Sequence, residues 1–280
     1  MDQAHTLRKW AAAPGGATTR ALAVVAVTSG KGGVGKTNVV ANLAVALADL
    51  GRRVLVLDAD LGLGNVDVLL GLSSRDTVED VFDGRKTLAE VVTDGPRGVR
   101  ILPAGSGWTG PRDPSSAQIH ALLDQIERTD DGPDVVLIDT GAGISSNVLA
   151  FNAAARAIVV VATPDPASLT DAYALMKVLR ARHGEHRFSL VVNMARSEHE
   201  AHETARTLRE VAGRFLGVTV EYLGAIPDDA ALRKAVGRQR AVVDVSPHAP
   251  SSLAFLSLAH RVASWDGTVE MRPIEPGPAR

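Results

Sequence analysis

One stretch of the sequence decides the fold: Gly30-Lys31-Gly32-Gly33-Val34-Gly35-Lys36-Thr37. It contains a complete phosphate-binding loop, in which glycines allow a tight backbone path and a lysine followed by a threonine ends the loop. The apolar run over 21–27 predicts a buried strand before the loop, and 38–50 predicts a helix after it. Backbone amides at the helix N-terminus would then point at a phosphate group. The stretch therefore predicts a nucleotide site between a strand and a helix.

The two lysines of this loop have different expected tasks. Lys36 would reach the β- and γ-phosphates of the nucleotide, and the Thr37 hydroxyl would be a ligand of Mg²⁺. Asn38 follows directly and belongs to the same predicted site. Because Lys36 already supplies the positive charge for its own nucleotide, Lys31 is available for another contact.

Strands and helices alternate along the rest of the chain. Further strands are predicted over 53–57, 99–102, 135–138, 157–162, 190–193 and 218–226. Further helices are predicted over 78–82, 88–92, 116–126, 145–155, 169–182, 198–215, 230–238 and 253–265. Aliphatic runs without polar alternation indicate strands that are covered on both faces. The expected fold is α/β: a doubly wound, mostly parallel sheet with helices on both faces and its ligand at the carboxyl ends of the strands.

Three segments are expected along the chain: an arm and linker over 1–20, one α/β domain over 21–265 and a polar, proline-containing tail over 266–280. Within the domain, we expect the helix over 169–182 to begin after Ser168, with Asp171 completing a capping box.

Composition excludes several classes of protein. With 280 residues, 45% of them apolar, the chain can bury one large core. The absence of cysteine excludes disulfides, thiolate catalysis and cysteine-ligated clusters. The formal net charge of −2 gives no general case for nucleic-acid binding. The sequence shows neither an apolar run of about 18 residues nor a signal-peptide core, so a cytoplasmic location is expected.

Carboxylates follow two of the predicted strands. Asp58 and Asp60 come after 53–57, and Asp139 comes after 135–138. Carboxylates are costly inside a sheet and are stabilised where they face Mg²⁺, a lysine or water. Asp139 is typical of a Walker B carboxylate, which holds Mg²⁺ through water. For Asp60, capping of the backbone is the alternative role.

The loop with its additional Lys31 resembles the deviant phosphate-binding loop of the MinD/ParA family of ATPases, and the resemblance covers 21–265. It implies that the ligands are ATP and Mg²⁺ and that ATP is sandwiched in a homodimer. It also implies that Lys31 contacts the nucleotide of the partner subunit. In this family Asp60 would orient the attacking water, and Asp58 would support Mg²⁺ or a lysine. The chain is therefore expected to be an ATP-hydrolysing switch.

A later strand end resembles the base site of the same family. Asn193 matches the asparagine that recognises adenine, and Pro227 with Asp228 matches the segment that closes over the base. Asn193 could alternatively cap the turn after its strand. The predicted nucleotide site comprises Gly30, Lys31, Gly32, Gly33, Val34, Gly35, Lys36, Thr37, Asn38, Asp58, Asn193, Pro227 and Asp228.

Within the family, 55–71 is similar to the FlhG/FleN group, whose members set the number and placement of flagella. The stretch 2–8 matches the N-terminal element with which this group stimulates FlhF, a GTPase of the signal-recognition-particle type. The resemblance implies that Gln3, Leu7 and Arg8 contact an FlhF-like GTPase. For some similar proteins a flagellar transcription activator is another partner, and the inner membrane or the cell pole is the location.

Three alternatives stay open. Similar proteins end in a membrane-targeting helix, but the prolines in 268–280 prevent one there, so 253–265 either binds membrane or packs on the sheet. A ParA-type DNA-partitioning ATPase would use a basic patch and would need no sequence preference. The candidate residues for such a patch are Arg180, Arg182 and Arg187, or Arg233, Lys234, Arg238 and Arg240. A metabolic synthetase would need a substrate pocket, for which no motif is visible.

Overall fold

The computed structural model describes residues 22–105 and 113–265. The strands are β1 (Ala23–Ser29), β2 (Val54–Ala59), β3 (Thr93–Asp94), β4 (Arg100–Leu102), β5 (Val135–Ala142), β6 (Ala157–Ala162), β7 (Arg187–Ala195) and β8 (Thr219–Pro227). They form one sheet of eight strands in the order β3-β4-β2-β5-β1-β6-β7-β8. Neighbouring strands are parallel except for the short β3, which is antiparallel to β4. The predicted doubly wound α/β sheet is confirmed.

The helices are α1 (Lys36–Asp49), α2 (Val66–Leu69), α3 (Val78–Phe82), α4 (Leu88–Val91), α5 (Ser116–Glu127), α6 (Ser146–Ala154), α7 (Pro166–His183), α8 (Glu198–Leu216), α9 (Ala230–Gly237), α10 (Val242–Val245) and α11 (Pro250–Ala263). A 3-10 turn covers Pro96–Gly98. Helices α1 and α11 share one core with Val25 and Val27 of β1. Val24 and Ala26 of the same strand face the opposite side, where α5 and α6 pack. Both faces of the sheet are therefore covered, as the aliphatic strands require.

The order of the strands brings three chain segments to one edge of the sheet. β1 lies between β5 and β6, so the loop after β1 emerges beside the carboxyl ends of both. In the register of β2 and β5, Asp58 is directly opposite Asp139. This edge is where a doubly wound sheet binds its ligand.

Some predicted boundaries were wrong. The predicted cap of α7, Ser168, is buried inside the helix, and its hydroxyl accepts a hydrogen bond from the amide of Thr163. The helix begins earlier, at Pro166, because Asp165 caps it and proline suits the first helical position. β5 also continues past Asp139 to Ala142, and β2 extends one residue past Asp58, to Ala59.

The last helix does not have the exposed apolar face that membrane binding requires. α11 buries Phe255, Leu258 and Val262 against the sheet and α1, and Trp265 is buried just after it. Of the large apolar side chains on this helix, Leu253 is the exposed one. In the two described ranges, no helix has the length and apolar character needed to cross a bilayer. The alternative of packing on the sheet is therefore the one observed for 253–265.

Candidate nucleotide site

The phosphate-binding loop is packed so closely that two of its glycines have no room for a side chain. A Cβ atom at Gly30 would lie 2.0 Å from the carbonyl oxygen of Asp171 in α7. A Cβ at Gly35 would lie 2.4 Å from Nδ2 of Asn193, and Gly35 has a φ of +83°. These positions need glycine both for space and, at Gly35, for its left-handed backbone. The loop is thus held between the starts of α1 and α7 and the end of β7.

Lys36 and Asp139 form a buried ion pair at the start of α1. The Nζ of Lys36 donates to Oδ1 of Asp139 over 2.9 Å, and the two residues are 7% and 1% exposed. Burial raises the pKa of Asp139, although the charge of Lys36 acts in the opposite direction. The Thr37 side chain also acts to lower the pKa of the Asp139 carboxylate, as a neighbouring hydroxyl does. The ammonium, hydroxyl and carboxylate groups that phosphate and Mg²⁺ require therefore lie together.

Asp58 organises the segment that follows β2. Its Oδ1 accepts from the amide of Asp60 at 3.1 Å, and its Oδ2 accepts from the amides of Asn65 at 2.9 Å and Val66 at 3.1 Å. Burial, and secondarily the charge of Asp139, raises the pKa of Asp58 to about 7. The carboxylate thus contacts backbone amides, while Asp139 is the carboxylate that contacts Lys36.

Asp60 directly follows β2, and its side chain lies close to the end of β5. It is half-buried, and a Cβ at Gly141 would be 3.0 Å from its Oδ1. Its charge also raises the pKa of Asp139. The side chain therefore borders β5 as well as the segment 60–66, at the edge where the γ-phosphate is expected.

Lys31 lies at the exposed rim of the loop. Its Nζ donates to Oδ2 of Asp165 over 3.0 Å, and the two side chains are 44% and 49% exposed. The hydrogen bond from Lys31 lowers the pKa of Asp165. Sequence reasoning missed this partner, because Asp165 follows β6 and becomes a neighbour of Lys31 through the pairing of β1 with β6.

A cleft of about 550 Å³ opens beside the phosphate loop. Its lining comprises Lys31, Gly32, Gly33, Val34, Thr163, Pro164, Asp165, Pro166, Met194, Arg196, Glu200 and Asp228. Asn193 is buried and is not part of this lining. Its Nδ2 donates to the carbonyl of Val34, a lining residue, over 2.8 Å, and its buried Oδ1 has no hydrogen-bond partner. This contact joins β7 to the phosphate loop, and the free Oδ1 can accept a hydrogen bond from an amino group.

Sequence reasoning placed Asp228 at this cleft and missed Met194, Arg196 and Glu200. Met194 is exposed and has a φ of +58°, a conformation uncommon for methionine. Arg196 and Glu200 form an ion pair at the start of α8. No pattern in the sequence marks these residues, because the wall they form depends on how the loop after β7 turns.

Three predicted residues, Gln3, Leu7 and Arg8, lie outside the described ranges, as does the tail over 266–280.

Comparison with known proteins identifies the family. The family model named ParA, described as NUBPL iron-transfer P-loop NTPase, matches residues 20–263. The antiactivator FleN of Pseudomonas aeruginosa is 50% identical over 242 residues, which are 86% of this chain and 86% of that protein. The chain belongs to the FlhG/FleN group of the MinD/ParA family. Since that family consists of P-loop ATPases, the chain is an ATPase.

Other FleN-like and MinD-like proteins agree with this assignment. The flagellum site-determining protein YlxH of Helicobacter pylori is 35% identical to this chain. The alignment covers 80% of this chain and 76% of YlxH. The structure of the septum site-determining protein MinD from Pyrococcus horikoshii, complexed with Mg-ADP, matches with a TM-score of 0.74 and 26% identity. The structural match covers 88% of this chain and 98% of the MinD chain. The description of the family model mentions iron transfer. This chain has no cysteine, so it offers no thiolate ligand for an iron–sulfur cluster.

Proposed function

We propose that this chain is an ATP-dependent dimerising switch that regulates the number and placement of flagella. The observation that carries the proposal is the 50% identity to the antiactivator FleN over most of both chains, together with an intact phosphate loop that includes Lys31. The relation to a flagellum site-determining protein supports the same process. Because FleN is named an antiactivator, we include a flagellar transcription activator among the partners.

In each subunit, the loop over 30–37 and Asn38 would hold ATP. Lys36 would exchange its contact with Asp139 for the β- and γ-phosphates, since both ligands are anionic and compete for one ammonium group. Asp139 would then be released to hold Mg²⁺ through water, with Thr37 as a direct ligand. Mg²⁺ supplies the charge neutralisation that phosphoryl transfer needs.

The adenine base would enter the cleft between the loop and α8. The partnerless Oδ1 of Asn193 would accept from the exocyclic amino group of adenine once the base reaches it. Pro227 and Asp228 would border the base from the end of β8. The MinD structure complexed with Mg-ADP supports a nucleotide ligand for this fold.

Hydrolysis would depend on Asp60 and on Lys31 of the partner subunit. Asp60 is close to Gly141 and can orient a water molecule toward the γ-phosphate. Asp58 fixes the segment that carries Asp60 through its three backbone contacts. Lys31 is half-exposed at the rim and can reach a second copy of the chain.

The two lysines provide the test of the switch. Lys36→Ala should abolish ATP binding, whereas Lys31→Ala should bind ATP as a monomer and fail to dimerise, with a loss in turnover of about 10³-fold if it acts like an arginine finger. Light scattering with ATP, together with nucleotide titration, measures both effects. Full dimerisation of the Lys31→Ala protein would contradict the proposed role of Lys31.

A DNA-partitioning role is the weaker candidate because part of its basic patch is neutralised. Arg233 forms an ion pair with Asp228, and Arg240 forms one with Asp244. Retention of DNA that needs ATP and falls steeply with salt would support partitioning over flagellar control.

We also propose that 1–20 forms an arm that stimulates an FlhF-like GTPase, that 21–265 is the ATPase domain and that 266–280 is a separate tail. The proposal for the arm depends on the sequence match over 2–8.

A further inference from the structure

Asp229 lies just after the end of β8 and accepts hydrogen bonds from two helices at once. Its Oδ1 accepts from the amide of Ala231 at 2.8 Å and caps α9. Its Oδ2 accepts from the amide of Ser251 at 3.1 Å and from the Ser251 hydroxyl at 2.7 Å, in the first turn of α11. α11 needs this acceptor, because Ala249 at its own cap position has no side-chain oxygen and Pro250 has no amide hydrogen. One carboxylate therefore joins the start of α9 to the start of α11.

The Asp229 carboxylate is charged at neutral pH. Burial alone would raise its pKa, but the hydrogen bonds from Ser251 and Ala231 and the charge of Arg233 hold the pKa below its ordinary value. The N-terminal ends of two helices also stabilise a negative charge through their dipoles. A neutral side chain at this position would therefore hold the two helices less firmly.

The residues just before Asp229 are those assigned to the base. Pro227 is opposite Ala195 in the register of β7 and β8, and the amide of Asp228 donates to the Ala195 carbonyl at 3.0 Å. Asp228 also lines the cleft beside the phosphate loop. The segment 227–229 is thus fixed on one side by β7 and on the other by the contacts of Asp229 with α9 and α11.

We propose that Asp229 is a positioning residue that holds Pro227 and Asp228 where they distinguish adenine from other bases. This inference rests on the proposed function, in which these two residues border the adenine. A segment that is in place before the base arrives needs no ordering on binding, whereas a loosened segment reduces the fraction of molecules that are ready to bind. The phosphates contact 30–37 and do not depend on Asp229.

Ser251→Ala tests this role without changing any residue that lines the cleft. It removes the hydroxyl that donates to Asp229 and leaves the other two hydrogen bonds in place. We expect ADP to bind about 2- to 10-fold more weakly, the range that one hydrogen bond contributes to an equilibrium. GDP and pyrophosphate should bind as before, so the ratio of the GDP to the ADP dissociation constant should fall. Isothermal titration calorimetry with Mg²⁺ measures all three, and diphosphates are used because ATP would also drive the proposed dimerisation.

Ser252→Ala is the matched control. Ser252 follows Ser251 in α11 and is equally buried, and its hydroxyl donates over the same 2.7 Å to the carbonyl of Ser246 instead of to Asp229. Both variants should lose similar stability in urea unfolding, but Ser252→Ala should keep the ratio of the unmodified protein. Asp229→Asn keeps one accepting oxygen in place of two, so it should lower the ratio further than Ser251→Ala.

The outcomes separate the inference from the proposed function. If the ratio is unchanged in both Ser251→Ala and Asp229→Asn, or falls equally in Ser252→Ala, the role of Asp229 is overturned while the base site stands. If the unmodified protein binds ADP and GDP equally, the base site of the proposed function fails, and the inference fails with it.

Discussion

At the scale of single residues, the carboxylates of the site differ in what they contact, and this difference separates their roles. Asp139 faces Lys36 and Thr37, Asp58 faces backbone amides, and Asp60 borders Gly141. A group that contacts Lys36 and Thr37 should govern binding, because these residues meet the phosphates and Mg²⁺. A group that borders the γ-phosphate should govern the chemical step.

Asp60→Ala should therefore bind ATP and dimerise but hydrolyse slowly, with a loss of about 10²- to 10⁴-fold in turnover. The dimer should also persist longer, because hydrolysis ends the ATP-bound state. Single-turnover hydrolysis and light scattering measure the two effects. Asp139→Ala is the comparison, since it should weaken Mg²⁺-dependent binding instead. Unchanged turnover in Asp60→Ala would leave Asp60 as a backbone cap.

Asp58 should make the stability of the nucleotide-free protein depend on pH. Its pKa rises from the ordinary aspartate value of 3.8 to about 7, so between these values the folded state binds more protons than the unfolded state. Stability should fall as the pH rises through this window, by at most about 1.4 kcal/mol per pH unit for one group, and then level off. Urea unfolding between about pH 5 and 8, with a chelator present, measures the slope.

Asp58→Asn is the control for this slope. The asparagine side chain cannot ionise, so the stability of this variant should decline less with pH than that of the unmodified protein. Weaker hydrogen bonds at the three backbone contacts would lower its free energy of unfolding equally at every pH and would not change the slope. Parallel curves for the two proteins would show that other groups produce the pH dependence.

At the scale of elements, the sequence predicted most strands and the long helices because their patterns are strong. The aliphatic runs of β1, β5 and β6 have no polar alternation, and the long α8 has a clear polar and apolar face. The missed elements β3, α2 and α10 have two, four and four residues, too few to show a period.

In the candidate site too, features that depend on local motifs could be predicted from the sequence, and contacts between distant residues could not. Lys36, Thr37 and Asp139 were predictable, since each belongs to a local motif and parallel strands align their ends. The Lys31–Asp165 contact joins residues 134 positions apart, and the contact from Asn193 to Val34 joins residues 159 apart. Such pairs follow from strand order and from the turn at each strand end, which the local pattern does not contain.

The last helix gives an element-scale prediction. Phe255→Ala should lower the free energy of unfolding by about 3–5 kcal/mol, because the phenyl ring is fully buried between α11 and the sheet. Leu253→Ser on the exposed side of the same helix should change it by about 0.5 kcal/mol or less. Denaturant unfolding compares the two. Binding to lipid vesicles is measured on the same proteins. If the unmodified protein binds vesicles and Leu253→Ser loses that binding without losing stability, membrane contact through α11 is favoured instead.

At the scale of the whole molecule, the ATPase fold and the predicted arm occupy separate stretches of the chain. β1, which follows the arm in sequence, is a central strand of the sheet. A role for 2–8 is expected to show as an effect on a partner rather than on ATP binding, because the predicted phosphate loop is a different stretch of the sequence, 30–37.

A peptide of residues 1–20 should raise GTP hydrolysis by a purified FlhF-like GTPase, and Gln3→Ala in that peptide should lose most of the stimulation. The amide of Gln3 can donate and accept hydrogen bonds, which suits a group that orients water in a GTPase site, while Leu7 would supply an apolar anchor and Arg8 a polar contact. GTP turnover is measured alongside ATP affinity of the full chain, which Gln3→Ala should leave unchanged. Equal stimulation by both peptides would exclude Gln3 as the active group. Stimulation by neither would contradict the arm's proposed role and weaken the flagellar assignment, because the match over 2–8 is one of the sequence features on which that assignment depends.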